Sequence, residues 1–260
     1  PNGISIRGMP ILNTYSGNVY WVGSGTANAS NSNKGDSPER PFATVTYVLS
    51  NKITANHGDI VFVMPSHTED MGNTSITMSN AGVAIVGLGV GSNRPTFTWG
   101  TNTTKIHVTA NNNTFKNLYF DMTGAGSVST GIDIDANYTT LEDCEILQSD
   151  SAGQCNMAID VGTSAATVIN KLKVVANTAS PQAAINISDT ASQLVISDCW
   201  IDGNYGSATI SNPSGAVATN LLIKDNFLRN QKSATIAVDL NSACTGFLVG
   251  NKYHSNVGSS

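Results

Sequence analysis

The chain has 260 residues, of which 12% are charged, and its formal net charge is −5. This balance excludes a duplex nucleic acid as partner, because neutralising phosphates requires clustered Lys and Arg, and the chain has no basic run. No stretch of about 18 apolar residues occurs, so no membrane partner is predicted. The chain is rich in β-branched residues, Asn, Ser, Thr and Gly, which is typical of an all-β protein with many tight turns.

The first segment of the chain, residues 1–40, is interpreted as a lead-in or assembly segment. It contains no basic stretch that leads into an apolar run, so a signal peptide is not predicted. A Pro at the first position suits a chain that has lost only its initiator Met. We therefore expect the chain to begin at its native end.

Residues 41–57 have the spacing of an amphipathic helix, and Pro41 suits its first turn. The apolar positions that share one helical face are Phe42, Val45, Val48, Leu49 and Ile53. A solenoid leaves the interior and the strand edge of its first coil open, so some element must cover that end. We predict that this helix caps the first coil.

Two repeating tracks run through the rest of the chain. In the first, two apolar positions flank a polar residue and a variable residue. These segments begin at Phe115, Leu141, Ile169, Ile196, Ile223 and Val249, at separations of 26, 28, 27, 27 and 26 residues. The second track is Ile106, Ile132, Ile159, Ile185, Ile210 and Ile236, at separations of 26, 27, 26, 25 and 26 residues. Two interlocked tracks at one period indicate a repeat architecture.

The isoleucines lie in short alternating runs, so they face one side of a strand while Asp or Asn faces the other. A single strand cannot bury its apolar face, but strands stacked about 4.8 Å apart form continuous aliphatic columns. The period is too short for a propeller blade, and the fixed leucines of a leucine-rich repeat are absent. We predict an all-β fold, a right-handed parallel β-helix with an N-terminal capping α-helix. Its coils would span residues 58–254, followed by a C-terminal tail over 255–260.

A polar residue stands between the two apolar positions of each first-track segment. These residues are Asn117, Asp143, Lys171, Asp198, Asp225 and Asn251. Apolar side chains on both flanks can face one interior only if the backbone bends between them, and Asn and Asp tolerate the left-handed backbone of such a bend. We predict that these side chains align as a polar ladder with a structural role.

Three phrases carry a family resemblance. They are Tyr20-Trp-Val, Pro41-Phe-Ala-Thr-Val and Gly58-Asp-Ile-Val-Phe-Val-Met-Pro. Together they resemble the opening of pectate-lyase-like β-helix proteins, a superfamily in which such phrases precede the coils. The resemblance covers most of the chain as a fold. It implies either a bacteriophage virion protein, of the decoration or tail type, or a sugar-active enzyme.

The best candidate for catalysis is a group of three carboxylates, Asp133, Asp135 and Asp160. The first two share the outward face of one strand, and Asp160 is equivalent to Asp133 one coil later. Like charges about 5 Å apart raise one pKa or attract a cation, so calcium is an open possibility. The alternative is ordinary surface decoration, because the same column continues as Asn186 and Ser211. His107 is expected to be a surface histidine.

Aromatic side chains recur at one outward repeat position. They are Tyr119, Trp200, Phe227 and Tyr253. An exposed aromatic column indicates either a sugar-stacking surface or a buried subunit contact. We favour self-association, which makes these residues a candidate interface.

The leading functional hypothesis is a non-enzymatic bacteriophage virion structural protein, a capsid decoration or tail-associated protein on the virion surface. The phage assignment is implied by the resemblance alone. Such a protein would be made in the host cytoplasm, form a homotrimer, contact other virion proteins and need no cofactor. Two rivals stay open, a polysaccharide lyase or glycoside hydrolase at the three aspartates, and a non-catalytic spike that binds a surface glycan or receptor.

Overall fold

A computed structural model describes residues 5–6, 9–10, 17–72, 75–100, 104–149, 155–177, 181–213, 215–233 and 235–256. Over these residues the chain forms an all-β parallel solenoid of about 7 turns, whose strands lie in three parallel sheets. The predicted all-β parallel β-helix is thereby confirmed. Part of the predicted lead-in segment (residues 1–4, 7–8 and 11–16) and most of the predicted tail (257–260) lie outside the described residues.

Strands are numbered in chain order. The first sheet contains β3 (Val19–Val22), β4 (Ile60–Val63), β7 (Ala84–Gly87), β10 (Thr114–Lys116), β13 (Thr140–Glu142), β17 (Val168–Asn170), β21 (Val195–Ser197), β24 (Leu221–Lys224) and β27 (Gly246–Val249). The second contains β5 (Thr68–Asp70), β8 (Thr96–Thr98), β11 (Tyr119–Asp121), β14 (Glu145–Ser149), β18 (Lys173–Ala176), β22 (Trp200–Gly203), β25 (Phe227–Ser233) and β28 (Lys252–Asn256). The third contains β6 (Ile76–Met78), β9 (Ile106–Val108), β12 (Val128–Ile134), β15 (Cys155–Val161), β19 (Ala183–Ile187), β23 (Ala208–Ser211) and β26 (Val238–Asp239).

The remaining elements are small. They are the antiparallel pair β1 (Ser5–Ile6) and β2 (Met9–Pro10), the parallel pair β16 (Ser164–Ala165) and β20 (Ala191–Ser192), the helix α1 (Val45–Asn51) and a 3₁₀ turn at Gly91–Asn93. Strand β3 pairs in parallel with β4, so the first sheet begins ahead of the predicted first coil.

The second-track isoleucines stack inside the tube. Register partners on successive strands of the third sheet are Ile106, Ile132, Ile159, Ile185 and Ile210, and all five are buried. This is the aliphatic column that the period predicts. The prediction that Ile236 is the sixth member of this column is wrong. Val238 pairs with Ile210 instead, because the chain between these strands is two residues longer than the period assumes, and Ile236 is exposed.

Five successive coils bend between the first and second sheets at one residue with left-handed backbone. The bend residues are Asn117, Asp143, Lys171, Asp198 and Asp225, with φ between 51° and 57°. Asn and Asp adopt this region at lower cost than most residues, which explains their recurrence here. Asn117 Nδ2 also donates to the backbone carbonyls of Gly87 and Gly89, at 2.8 and 2.9 Å. The bend lets apolar residues on both flanks face one interior.

The last coil departs from the predicted register. Ile223 pairs with Leu248 and not with Val249, because this coil is one residue shorter than the pattern match assumes. The bend therefore falls at Gly250, where φ is 67°. The prediction that Asn251 belongs to the polar ladder is thus wrong, and its side chain hydrogen-bonds the backbone of the preceding coil.

The same shift moves the last predicted aromatic out of its column. Tyr253 pairs with Leu228, which faces the interior, while the partner of Phe227 is Lys252. The prediction that Tyr253 continues the outward aromatic column is therefore wrong. Its ring is exposed, since no further strand lies beyond β28 among the described residues.

The helix α1 is shorter than the predicted 41–57. It begins at Val45 because Thr44 is extended and its hydroxyl accepts the N–H of Tyr47 at 3.2 Å, which is an N-cap. Phe42 precedes the helix and forms a β-bridge with Val22. The described chain has no helix with the length and apolar character needed to cross a bilayer. The helix buries part of its face in the core, and its role as a cap stays a prediction.

A buried carboxylate holds the start of α1. Glu69 of β5 accepts the backbone N–H groups of Val45 at 2.6 Å and Thr46 at 3.0 Å, and the Thr46 hydroxyl at 2.6 Å. His67 Nε2 lies 3.2 Å from the same carboxylate. Burial disfavours the charged form, but the hydrogen bonds outweigh it, and the pKa of Glu69 is lowered. These contacts join the helix to the second sheet.

Candidate functional site

The outer face of the third sheet carries a cluster of ionisable side chains. His107 on β9, Asp133 on β12 and Asp160 on β15 are register partners on successive turns. They point outward, because the isoleucines beside them face the interior. Lys105 immediately precedes β9, and Asp135 immediately follows β12. We call these five residues the outer cluster.

Four members of the outer cluster, Lys105, His107, Asp133 and Asp135, are in direct contact. Lys105 Nζ lies 2.5 Å from Asp133 Oδ2. His107 Nε2 lies 3.0 Å from Asp135 Oδ2 and 3.6 Å from Asp133 Oδ2. Asp133 is thus charge-balanced by a lysine on the preceding turn, and the imidazole bridges two carboxylates.

Asp160 has a different environment from Asp133. Its carboxylate accepts hydrogen bonds from Asn186 Nδ2 at 2.7 Å and Ser188 Oγ at 2.8 Å, both on the following turn. Burial disfavours its charged form, and the nearby negative charges of Asp133 and Asp135 add to that effect. These causes outweigh the two hydrogen bonds, so the pKa of Asp160 is raised.

Gly162 makes room for Asp135. A Cβ at this position would lie 2.1 Å from Asp135 Oδ1, which is far inside contact distance. We expect Gly162→Ala to displace the Asp135 carboxylate from His107 while the fold persists, because the clash is with the end of a flexible side chain. The ring ¹⁵N chemical shifts of His107 should change as they do in Asp135→Asn, with little change in Tm. Unchanged shifts would contradict the contact.

The structure brings the three predicted aspartates together and adds two residues that sequence reasoning missed. The sequence pattern does not single out Lys105, and it predicts a surface position without a functional role for His107. A signal was present for the histidine, since His107 precedes Asp133 by 26 residues, one period of the repeat. Lys105 lies two residues earlier, on the same face by alternation. Downstream, the column continues as Asn186 and Ser211, as the sequence predicts.

Three cluster members could hold a cation. Ligand atoms of His107, Asp133 and Asp135 all lie within 4.8 Å of one another. Calcium takes about six to eight oxygen ligands, whereas an imidazole nitrogen suits ions such as zinc. The Lys105 ammonium also forms an ion pair with Asp133, through the oxygen that faces His107. The donor set therefore does not fit the calcium possibility, and a borderline ion would have to displace a lysine.

The outward aromatics lie on a different face of the tube. On the second sheet, successive strands place in register Thr96, Tyr119, Glu145, Lys173, Trp200, Phe227 and Lys252. Trp200 and Phe227 stack with centroids 5.9 Å apart and an interplanar angle of 7°. Tyr119 is separated from this pair by two charged residues. The predicted column is therefore one aromatic pair and one isolated ring.

Comparisons with known proteins find similarity in structure only. No family model and no curated protein matches the chain. A rhamnogalacturonan lyase aligns with a TM-score of 0.62 and 14% identity over 94% of this chain and 63% of its own. A pectate lyase, Pel9A, aligns with a TM-score of 0.55 and 13% identity over 89% of this chain and 57% of its own. A GH136 lacto-N-biosidase from Eubacterium ramulus aligns with a TM-score of 0.42 and 9% identity.

The chain spans less than two thirds of the length of the two lyases. At 13–14% identity the likeness establishes a shared fold and leaves activity to be argued from the site. The chain therefore has the pectate-lyase-like parallel β-helix fold that its repeat and its opening phrases predict.

Proposed function

We propose that the outer cluster cleaves glycosidic bonds in a polysaccharide by acid–base catalysis. The observation that carries this proposal is the pairing of Asp133 and Asp160 on neighbouring strands in different environments. Lys105 balances the charge of Asp133, whereas burial and nearby carboxylates raise the pKa of Asp160. Two carboxyl groups with such different surroundings can divide the roles of nucleophile and general acid.

The proposed reaction is hydrolysis with retention. The backbones of register partners on stacked strands are about 4.8 Å apart, a spacing that is compatible with the roughly 5–5.5 Å between the carboxyl groups of retaining glycosidases. Asp160 gives its proton to the leaving glycosidic oxygen while Asp133 attacks the anomeric carbon. Asp160 then removes a proton from water, which displaces Asp133 and frees the sugar. His107 positions Asp135 beside this pair.

Elimination is the second candidate. It requires a base to remove the proton next to a uronate carboxylate, and a cation to stabilise the charge that develops there. His107 and Lys105 stand beside the carboxylates and could fill these two roles. The names of the two lyases with the same fold support this route. Elimination leaves an unsaturated sugar end, which hydrolysis does not.

The test is digestion of polygalacturonate, rhamnogalacturonan and a neutral arabinan. New reducing ends without ultraviolet absorbance indicate hydrolysis, and reducing ends with absorbance indicate elimination. For hydrolysis we expect Asp133→Asn and Asp160→Asn each to lower kcat by about 10²–10⁴-fold. The control is Asp189→Asn. Asp189 is an exposed carboxylate on the turn after Asp160, and within the described chain its side chain hydrogen-bonds to Thr163 and Thr190. Activity that survives both cluster substitutions would contradict the assignment.

The virion hypothesis drawn from the sequence stays a prediction. The two proteins that share the fold of this chain with a TM-score above 0.5 bear the names of lyases. The homotrimer, the virion partners and the virion-surface location likewise stay predictions. The outer cluster is the reason to prefer catalysis, because its Lys105 and His107 contacts have no part in that hypothesis.

A further inference from the structure

A groove lies on the second sheet, away from the outer cluster. Its volume is about 470 Å³, and its walls include Asp198, Trp200, Asp225, Phe227 and Lys252. One wall is the end of the outward aromatic column, and the other is formed by two members of the polar ladder. The groove spans three successive turns, so it runs along the tube.

The aromatic wall presents apolar surface to water. Trp200 is 38% exposed, and its ring stacks on Phe227. Lys173 Nζ lies 5.9 Å from the Trp200 ring centroid on the preceding turn, and Lys252 follows Phe227 on the next. An exposed ring of this kind offers a surface for the C–H groups of a sugar.

The opposite wall presents hydrogen-bond acceptors. Asp198 and Asp225 are exposed, and both occupy left-handed bends that fix where their carboxylates emerge. Gly250 leaves space for one of them, because a Cβ there would lie 2.2 Å from Asp225 Oδ1. Ionised carboxylates accept two or more hydrogen bonds, which suits paired sugar hydroxyls.

We propose that this groove binds one or two sugar residues of a glycan chain, as a site separate from the outer cluster. A second protein copy is the weaker occupant for two reasons. A stable interface buries about 1,200 Å² or more, with few charges at its core. Here the apolar surface is two rings, and lysines flank them on the same column at Lys173 and Lys252.

The experiment is affinity electrophoresis of the full chain in native gels that contain polygalacturonate, rhamnogalacturonan or arabinan. We expect retardation in at least one gel, with Kd raised about tenfold or more in Trp200→Ala. Asp225→Asn should weaken retardation as well, and it keeps the fold because Asn also tolerates the left-handed bend. Circular dichroism checks that both variants are folded.

Two controls distinguish binding in this groove from binding at the outer cluster and from non-specific binding by exposed aromatic rings. Tyr138→Ala removes a ring that is 56% exposed elsewhere, and it should leave retardation unchanged. Asp160→Asn removes the proposed cleavage, and Trp200→Ala should lower retardation in that background as well, so the groove and the catalytic proposal can fail independently. Wild-type protein that runs freely in all three gels, or equal retardation of wild type and Trp200→Ala, would overturn the groove. Dimerisation abolished by Trp200→Ala in native mass spectrometry would assign it to a second copy instead.

Discussion

Replacing Ile185 with Asp is expected to lower the free energy of unfolding by more than about 4 kcal/mol. Ile185 is 0% exposed and lies in the middle of the column, between Ile159 and Ile210. The substitution buries a carboxylate among aliphatic side chains, where it has neither a counter-charge nor water. Urea unfolding monitored by circular dichroism measures the loss.

The matched control for this substitution is Gln193→Asp, which adds the same charge. Gln193 is exposed and has a φ of 56°, which Asp also tolerates. Its effect on stability should be small. A midpoint of unfolding that is equal for Ile185→Asp and Gln193→Asp would contradict the inward position of the isoleucine.

Replacing Glu69 with Gln is expected to cost about 2–4 kcal/mol at neutral pH. Glu69 is 5% exposed and accepts hydrogen bonds from Val45 and Thr46 at the start of α1. A glutamine of the same shape has one oxygen in place of two, so at least one buried donor loses its acceptor. Urea unfolding is again the measurement, with the exposed Glu39→Gln as control.

The same carboxylate predicts a pH dependence. Its folded-state pKa is lowered from the ordinary 4.5, so its contribution is complete above that value. The contribution is lost as the pH falls through the folded-state pKa, because the carboxylate is then protonated in both states. The stability difference between wild type and Glu69→Gln should therefore shrink in acid. A difference that stays constant from neutral pH to well below 4.5 would contradict this role.

The coils could be predicted from the sequence because the buried isoleucines recur at the period of the coil. Successive isoleucines must face one interior, and a strand has only two faces, so the register of the middle coils follows from the pattern. The last coil lacks this constraint. Because residues 248 and 249 are both apolar, the sequence of this coil is compatible with two registers. The bend at Gly250 decides between them.

The helix shows a different reason for failure. Apolar spacing predicts a longer helix, but the hydroxyl of Thr44 ends the extended segment and starts α1 at Val45. Glu69 then completes the N-terminal hydrogen bonds from another strand. Such a contact across 24 residues of chain is invisible to local periodicity.

The candidate site was predicted in part. Asp133 and Asp160 meet because they occupy one repeat position on neighbouring turns, which the period alone gives. Predicting Lys105 and His107 as part of the site requires the same repeat position to be followed one turn toward the N-terminus. The position of the Asp135 carboxylate over Gly162 depends on side-chain packing, which no repeat reveals.

The most direct test of the account is a methyl NOESY spectrum of protein labelled at isoleucine δ1 methyl groups. In-register stacking predicts cross-peaks that link Ile132 to Ile159 and Ile159 to Ile185, since partners lie on adjacent turns about 4.8 Å apart. The same register places Asp133 beside Asp160, so the proposed active site depends on the same strand pairing as the core. Missing cross-peaks between these pairs, in a folded sample with the three methyl signals assigned, would contradict both.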